Sequence, residues 1–146
     1  MECMVPLARH LAICLFMAAT TTATGCGDDH HGSTEADEKG VGAACTNDAD
    51  CNPEDADTDG MQDQSCLTQF AGGYCGLEGC MDHDDCPEGS ACVIHDDGKN
   101  YCFRICVDKS ECNENRPADV ESNCSANIDF TSPLSVKACV PPSSGV

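Results

Sequence analysis

The main apolar run of the chain lies near its beginning. Residues 11–19 read LAICLFMAA, and they follow Arg9 and precede the small and hydroxyl residues of 20–25. A positive charge, a short apolar stretch and then small residues are typical of a secretory signal peptide. A membrane-spanning helix needs about 20 apolar residues, more than twice as many as this run contains. The pattern therefore predicts a leader over residues 1–25 that is removed on export.

Polar residues dominate the next segment and the last one. Residues 27–42 read GDDHHGSTEADEKGVG, and residues 141–146 read PPSSGV. Such segments bury too little apolar surface to offset the entropy lost on ordering. We expect residues 26–44 to be a flexible acidic tether and residues 141–146 to be a disordered tail. His30 and His31 are expected to be solvated.

The clearest strand pattern lies in the middle of the chain. Residues 91–95 and 100–105 are rich in β-branched and aromatic side chains, and Asp96-Asp97-Gly98 lies between them. This arrangement predicts a β-hairpin with a tight turn. Gly72-Gly73 before Tyr74 predicts a similar turn earlier in the chain. Because no window after residue 25 keeps helical periodicity for three turns, we expect little regular secondary structure.

Cysteine spacing divides the region between these ends into three repeats. The repeats are Cys45, Cys51, Cys66 and Cys75; Cys80, Cys86, Cys92 and Cys102; and Cys106, Cys112, Cys124 and Cys139. Each repeat opens with two cysteines five residues apart, and an acidic residue directly precedes the second one. We therefore predict a small disulfide-rich fold of three tandem four-cysteine units, residues 45–79, 80–105 and 106–140, within a cysteine-rich region at 45–140.

The cysteine count supports disulfides in an oxidising compartment. The chain has 15 cysteines. If Cys3 and Cys14 leave with the leader and Cys26 carries an anchor, an even number remains that can pair completely. Each unit is too small for a core of its own, so cross-links contributing about 2 to 4 kcal/mol each would dominate stability. Four cysteines allow three pairings, and we favour first with third and second with fourth. Structural zinc is the alternative, but the spacing lacks paired two-residue knuckles.

The residues at the end of the leader suggest a lipid anchor. Ala23-Thr24-Gly25-Cys26 resembles the lipobox of bacterial lipoproteins, although a leucine is usual at the position of Ala23. The resemblance implies that Cys26 is diacylated and becomes the new N-terminus. Gly27, at a position where aspartate would signal retention in the inner membrane, favours the outer membrane or the cell surface. Cleavage by an ordinary signal peptidase, giving a secreted protein, is the alternative.

A candidate calcium loop fills the long gap between Cys51 and Cys66. Residues 55–63 read DADTDGMQD, in which aspartates alternate and a glycine follows. Ca²⁺ takes six to eight oxygen ligands, and side chains at alternate positions of a tightly turning loop converge on one point. The predicted ligands are Asp55, Asp57, Asp59, the carbonyl of Met61, and Asp63.

This stretch resembles the calcium loops of thrombospondin type 3 repeats and, less closely, the EF-hand loop. Cys66 occupies position twelve, where both families have an acidic ligand, so we expect weak binding, with a dissociation constant of about 10⁻⁴ to 10⁻³ M. The alternative is a solvated acidic loop that holds no ion.

The net charge and the sequence motifs argue against several classes of function. The formal net charge is −19, which disfavours nucleic acid as a partner. We find no spacing typical of an oxidoreductase or a hydrolase, so we expect no enzyme activity. The cysteine-rich region resembles the repeats of uncharacterised bacterial cysteine-rich lipoproteins. We predict a non-catalytic binding module, held at the envelope membrane by its lipid, for an unknown protein or envelope ligand. The alternatives are a secreted protease inhibitor, presenting residues 96–100, and a purely structural envelope component.

Overall fold

The computed structural model describes residues 33–52 and 64–143. Regular structure in this part of the chain is sparse, as the sequence predicts. It consists of the four-residue helix α1 (Glu35–Glu38), three short 3₁₀ helices and seven short strands. The strands are β1 (Ser65–Cys66), β2 (Cys75–Gly76), β3 (Ser90–Ile94), β4 (Asn100–Cys106), β5 (Asn123–Ser125), β6 (Asp129–Phe130) and β7 (Lys137–Val140). No helix among these residues is long and apolar enough to cross a membrane.

The strands form two antiparallel sheets. Strands β1 and β2 make a two-stranded sheet, and the other five follow the order β5-β7-β4-β3-β6. The predicted hairpin is confirmed as β3 and β4, which pair from Ser90 opposite Arg104 to Ile94 opposite Asn100. Gly98 in its turn has a φ of +81°, a conformation that glycine adopts without the steric cost of a side chain. Strand β4 ends at Cys106 and therefore joins the second unit to the third.

All twelve cysteines of residues 45–139 pair within their own units. The bridges are Cys45–Cys66, Cys51–Cys75, Cys80–Cys92, Cys86–Cys102, Cys106–Cys124 and Cys112–Cys139. The first-with-third and second-with-fourth pairing is thereby confirmed in every unit. The third and fourth cysteines of each unit also lie opposite one another across an antiparallel strand pair. The repeat seen in the sequence is therefore a repeat of structure.

The three units share one hydrophobic core, in which the buried rings come from the first two units and the third contributes Ala138. Phe70 from the first unit packs edge-to-face against Tyr74, Tyr101 and Phe103, with ring centroids 5.2 to 6.1 Å apart. All four rings are buried. Each unit is too small for a core of its own, and the large side chains meet at the junction between units. Aromatic contacts of this kind add stability beyond the area that they bury.

A buried arginine also joins the units. Arg116 is only 7% exposed, and its guanidinium donates hydrogen bonds to the carbonyl oxygens of four residues. These are Val120 at 2.9 Å, Gly42 at 3.1 Å, Gly73 at 2.8 Å and Ala71 at 2.9 Å. The guanidinium carbon lies 5.8 Å from the centre of the Tyr74 ring. Because the acceptors come from the first unit, the third unit and the segment before Cys45, one side chain connects all three.

The folded part of the chain begins before the first cysteine unit. We expected residues 26–44 to form a flexible tether, but residues 33–44 pack onto the units. Ala36 and Val41 belong to the shared core. Asp37 Oδ1 lies 2.6 Å from Arg104 Nη2, and the Ala36 N–H donates to Glu88 O. Two apolar side chains five positions apart and an ion pair hold this segment, and so few residues do not stand out in a polar sequence.

Part of the expected tail is also packed. Pro141 is buried, and Ala71 N–H donates to the Pro142 carbonyl at 2.9 Å. Ser143 forms an isolated antiparallel bridge with Phe70. Residues 141–143 therefore extend strand β7 across the first unit rather than fraying.

Candidate functional site

The repeated acidic residue has a structural role in every unit. Its carboxylate accepts a hydrogen bond from the N–H of the residue that follows the first cysteine. The pairs are Asp50 with Thr46 at 2.7 Å, Asp85 with Met81 at 2.8 Å and Glu111 with Val107 at 2.7 Å. The bond from the Thr46 backbone lowers the pKa of Asp50. These carboxylates close the five-residue turns, which explains their repetition without any ligand.

A second repeated signal in the same turns was missing from our sequence analysis. The residue two positions after the first cysteine is Asn47, Asp82 or Asp108, and its side chain accepts a backbone N–H two residues further on. In the first two units this bond caps a 3₁₀ helix, Asp48–Asp50 or His83–Asp85. An asparagine or aspartate at this fixed offset in each repeat could have predicted the turn.

The predicted lipidation and calcium residues lie outside the described part of the chain. Cys26 precedes it, and Asp55, Asp57, Asp59, Met61 and Asp63 fall between residues 52 and 64. The two ends of that segment are nevertheless joined. Asn52 Nδ2 donates to Gln64 O at 2.7 Å, and Gln64 N–H donates to Asn52 Oδ1 at 2.8 Å. The candidate loop is therefore closed at its base by one asparagine side chain.

An open cleft lies at the end of the β3–β4 hairpin. Its volume is about 440 Å³. Val93 and Phe103, which are buried, line it together with Ile94 and Ile128. Ile94 remains 46% exposed. The cleft exists because β6, which belongs to the third unit, pairs with β3 of the second, so that Ile94 lies opposite Asp129.

Acidic side chains border this cleft. Asp96 and Asp129 line it and are exposed to solvent, and no lysine or arginine is among its described lining residues. The neighbouring Asp97 accepts a hydrogen bond from Tyr101 Oη at 2.7 Å. Burial and this bond raise the pKa of Tyr101 to about 12, so the phenol stays protonated. The exposed surface of the cleft is thus mostly polar and carries negative charge.

His95 and Ser143 also line the cleft. The His95 ring packs against Phe70 and Tyr101, and its Nδ1 lies 3.3 Å from Asp97 Oδ1. Among the hydrogen bonds of the described residues, none joins Ser143 to His95. The contact between nucleophile and base on which serine catalysis depends is therefore not made by this pair.

No family model matches the chain, and it matches no curated protein and no solved structure. The function is therefore inferred from the chain's own residues.

Proposed function

We propose that this protein is an exported, lipid-anchored, disulfide-rich module that binds a partner at the cell envelope without catalysis. The observation that carries the proposal is the complete pairing of the twelve cysteines at 45–139. Disulfides persist in oxidising compartments outside the cytosol. Complete pairing also leaves Cys26 outside the bridged set and available for acylation. A rigid scaffold with an open cleft is suited to holding a partner.

The lipid anchor is tested by metabolic labelling with a radioactive fatty acid. We expect the wild-type protein to incorporate the label and Cys26→Ser to lose it. Cys14→Ser is the matched control, because this cysteine lies in the predicted leader and should not affect labelling. Equal incorporation in Cys26→Ser and wild type contradicts the anchor.

The oxidised state is tested by intact-mass analysis of native material after treatment with an alkylating reagent. We expect a chain that begins at Cys26, carries lipid and takes up no alkyl group. Several alkylated thiols, or a leader that remains attached, would contradict export into an oxidising compartment.

Calcium binding at residues 55–63 is the second part of the proposal. Two observations support it: hydrogen bonds close the base of the loop, and an oxygen atom suited to Ca²⁺ lies at that base. The Gln64 side-chain oxygen is buried and accepts no hydrogen bond within the described residues. A neutral carbonyl oxygen is one of the ligand types that Ca²⁺ accepts. We propose that the ion stabilises this loop of the first unit.

Thermal unfolding tests this part. We expect millimolar Ca²⁺ to raise the melting temperature of the wild type, since a ligand that binds only the folded state stabilises it. Asp57→Asn/Asp59→Asn should abolish this shift. Asp84→Asn/Asp119→Asn, which removes the same charge from exposed sites elsewhere, should keep it. An equal shift in both double variants indicates general charge screening and contradicts the site.

The binding role is tested by capture from native envelope extracts on the immobilised protein. We expect a partner to be retained by the wild type and by Met81→Ser, and lost with Ile94→Ser. Met81 is 78% exposed and lies outside the cleft, so it controls for the loss of an exposed apolar side chain. If the wild type and both variants retain the same proteins, a role for the cleft is contradicted.

A further inference from the structure

His83 joins the second unit to the third through both nitrogens of its ring. Its Nδ1 accepts the N–H of Cys92 in β3 at 3.2 Å, and its Nε2 lies 3.1 Å from the carbonyl oxygen of Ser132. The ring also packs edge-to-face against Phe130 of β6, with centroids 5.9 Å apart. A backbone N–H can only donate, so Nδ1 carries no proton and Nε2 donates its own to Ser132. These contacts require the neutral ring.

The segment that His83 contacts is otherwise held by a short strand pairing. Strand β6 is two residues long, and both residues pair with β3. Directly after it, the N–H and the hydroxyl of Thr131 donate to the Cys92 carbonyl at 3.2 and 3.4 Å. A pairing of this length is marginal by itself. We therefore expect the contacts of His83 to help hold residues 129–132 against the second unit.

A proton on Nδ1 of His83 is incompatible with this arrangement. The imidazolium is a donor at both nitrogens, so its Nδ1–H would face the N–H of Cys92. Cys92 is buried, so solvent does not readily replace the lost acceptor. A ring that moves away from Cys92 also leaves Ser132 and Phe130, because one planar side chain makes all three contacts.

The charged groups around His83 are acidic. The turn that carries it contains Asp82, Asp84 and Asp85, and β6 contains Asp129. Strand β3 has no charged side chain, and among the ion pairs of the described residues none joins His83 to a carboxylate. The nearby negative charges therefore favour a protonated ring without holding it in its position beside β3.

We propose that His83 is a pH-sensitive switch at the junction of the second and third units. Below neutral pH the ring takes a proton on Nδ1, moves away from Cys92 and releases residues 129–132 from β3. Because the closed arrangement excludes this proton, its stability relative to the open one falls as the pH falls. Ile128 and Asp129 line the cleft, so its shape changes with the protonation of His83. The switch goes beyond the proposed binding function and needs no partner.

Amide hydrogen exchange of the ¹⁵N-labelled oxidised protein tests the switch, with rates corrected for the intrinsic effect of pH. The measurements are made at about pH 7.5 and about pH 5, an interval in which histidines gain their charge while carboxylates stay largely ionised. We expect the protection of the Cys92 and Thr131 amides to fall at least about tenfold in the wild type. The Leu67 amide, which donates to Tyr74 O at 2.9 Å in the first unit, should keep its protection.

Two matched variants assign the effect to one ring. His83→Asn keeps an oxygen acceptor near the position of Nδ1 but cannot take a proton, so the protection of Thr131 should change less than about twofold between the two pH values. His95→Asn removes the other histidine of the described residues and should respond as the wild type does.

Four results would overturn the inference. Unchanged protection of Cys92 and Thr131 in the wild type means that protonation does not release the segment. An equal fall at Leu67 means that the whole fold opens. An equal fall in His83→Asn and in the wild type assigns the effect to another group. If His83→Asn does not fold, the wild type decides alone, because the His83 Cε1–H and Thr131 amide shifts must follow one titration curve, and different midpoints contradict the switch.

Discussion

Removal of the Arg116 side chain should destabilise the protein more than any single change at an exposed charge. Arg116 carries its charge into the interior, where, among residues 33–52 and 64–143, carbonyl oxygens and no carboxylate accept its hydrogen bonds. Burial lowers the pKa of the guanidinium, but arginine starts so far above neutral pH that it stays protonated. In Arg116→Ala the four carbonyls lose these donors, and the first unit loses one of its connections to the third.

The expected loss in the free energy of unfolding depends on how deeply each hydrogen bond is buried. The bonds from Nη1 to Gly42 O and Gly73 O are buried, whereas those to Val120 O and Ala71 O are partly reached by solvent. A hydrogen bond from a charged donor contributes about 1.5 to 3 kcal/mol. Counting only the buried pair, we expect Arg116→Ala to lower the free energy of unfolding by about 3 to 5 kcal/mol. Arg116→Lys keeps the charge but not the planar fork, so we expect a loss of about 2 kcal/mol.

The assay is guanidinium chloride unfolding of the oxidised protein, with free energies extrapolated linearly to water. Lys137→Ala is the control, since it also removes one positive charge and one bond to a carbonyl, that of Val107 at 3.1 Å, but from an exposed site. We expect that control to cost less than about 0.5 kcal/mol. If the free energy of unfolding of Arg116→Ala lies within about 1 kcal/mol of that of the control, the reasoning is refuted.

Three further predictions concern the turn of the second unit, stability at acid pH and the hydrogen bond between Cys92 and His83. Asp85→Ala should lower the melting temperature by several degrees because it removes the acceptor that closes its turn, and Asp84→Ala should not; equal effects contradict the turn's role. Burial raises the pKa of Asp37, but hydrogen bonds and a neighbouring guanidinium lower it below its ordinary 3.8. The ionised carboxylate therefore stabilises the fold above that pH, and its contribution is lost as the pH falls through the folded pKa. The melting temperatures of wild type and Asp37→Asn should converge as the pH falls below the folded pKa, and parallel curves contradict this. His83→Phe should speed amide exchange at Cys92, whose N–H donates to His83 Nδ1 at 3.2 Å, and unchanged exchange contradicts the contact.

The sequence was sufficient for features that depend on local spacing. The cysteine repeat predicted the three units and their pairing, and the residues on either side of Gly98 predicted the hairpin. Contacts between units left no such signal. Arg116 is an isolated basic residue in an acidic chain, and its acceptors are backbone oxygens that the sequence does not distinguish. Ala36 and Val41 become core residues only because the other units supply the surface that covers them.

Both candidate sites lie where one unit has more residues between its cysteines than the other two. Fourteen residues separate Cys51 from Cys66, against five and eleven at the matching positions of the other units, and the additional residues contain the candidate calcium loop. Fourteen residues also separate Cys124 from Cys139, against eight and nine. The second insertion contains β6, which pairs with β3 and forms one wall of the cleft. The bridges and turns that recur in every unit form the scaffold. The candidate loop and the cleft each occur once, at a position where one unit contains additional residues. Insertions of this kind commonly form the binding face of repeat proteins, which supports our proposal of the cleft, rather than the repeated acidic turns, as a binding surface.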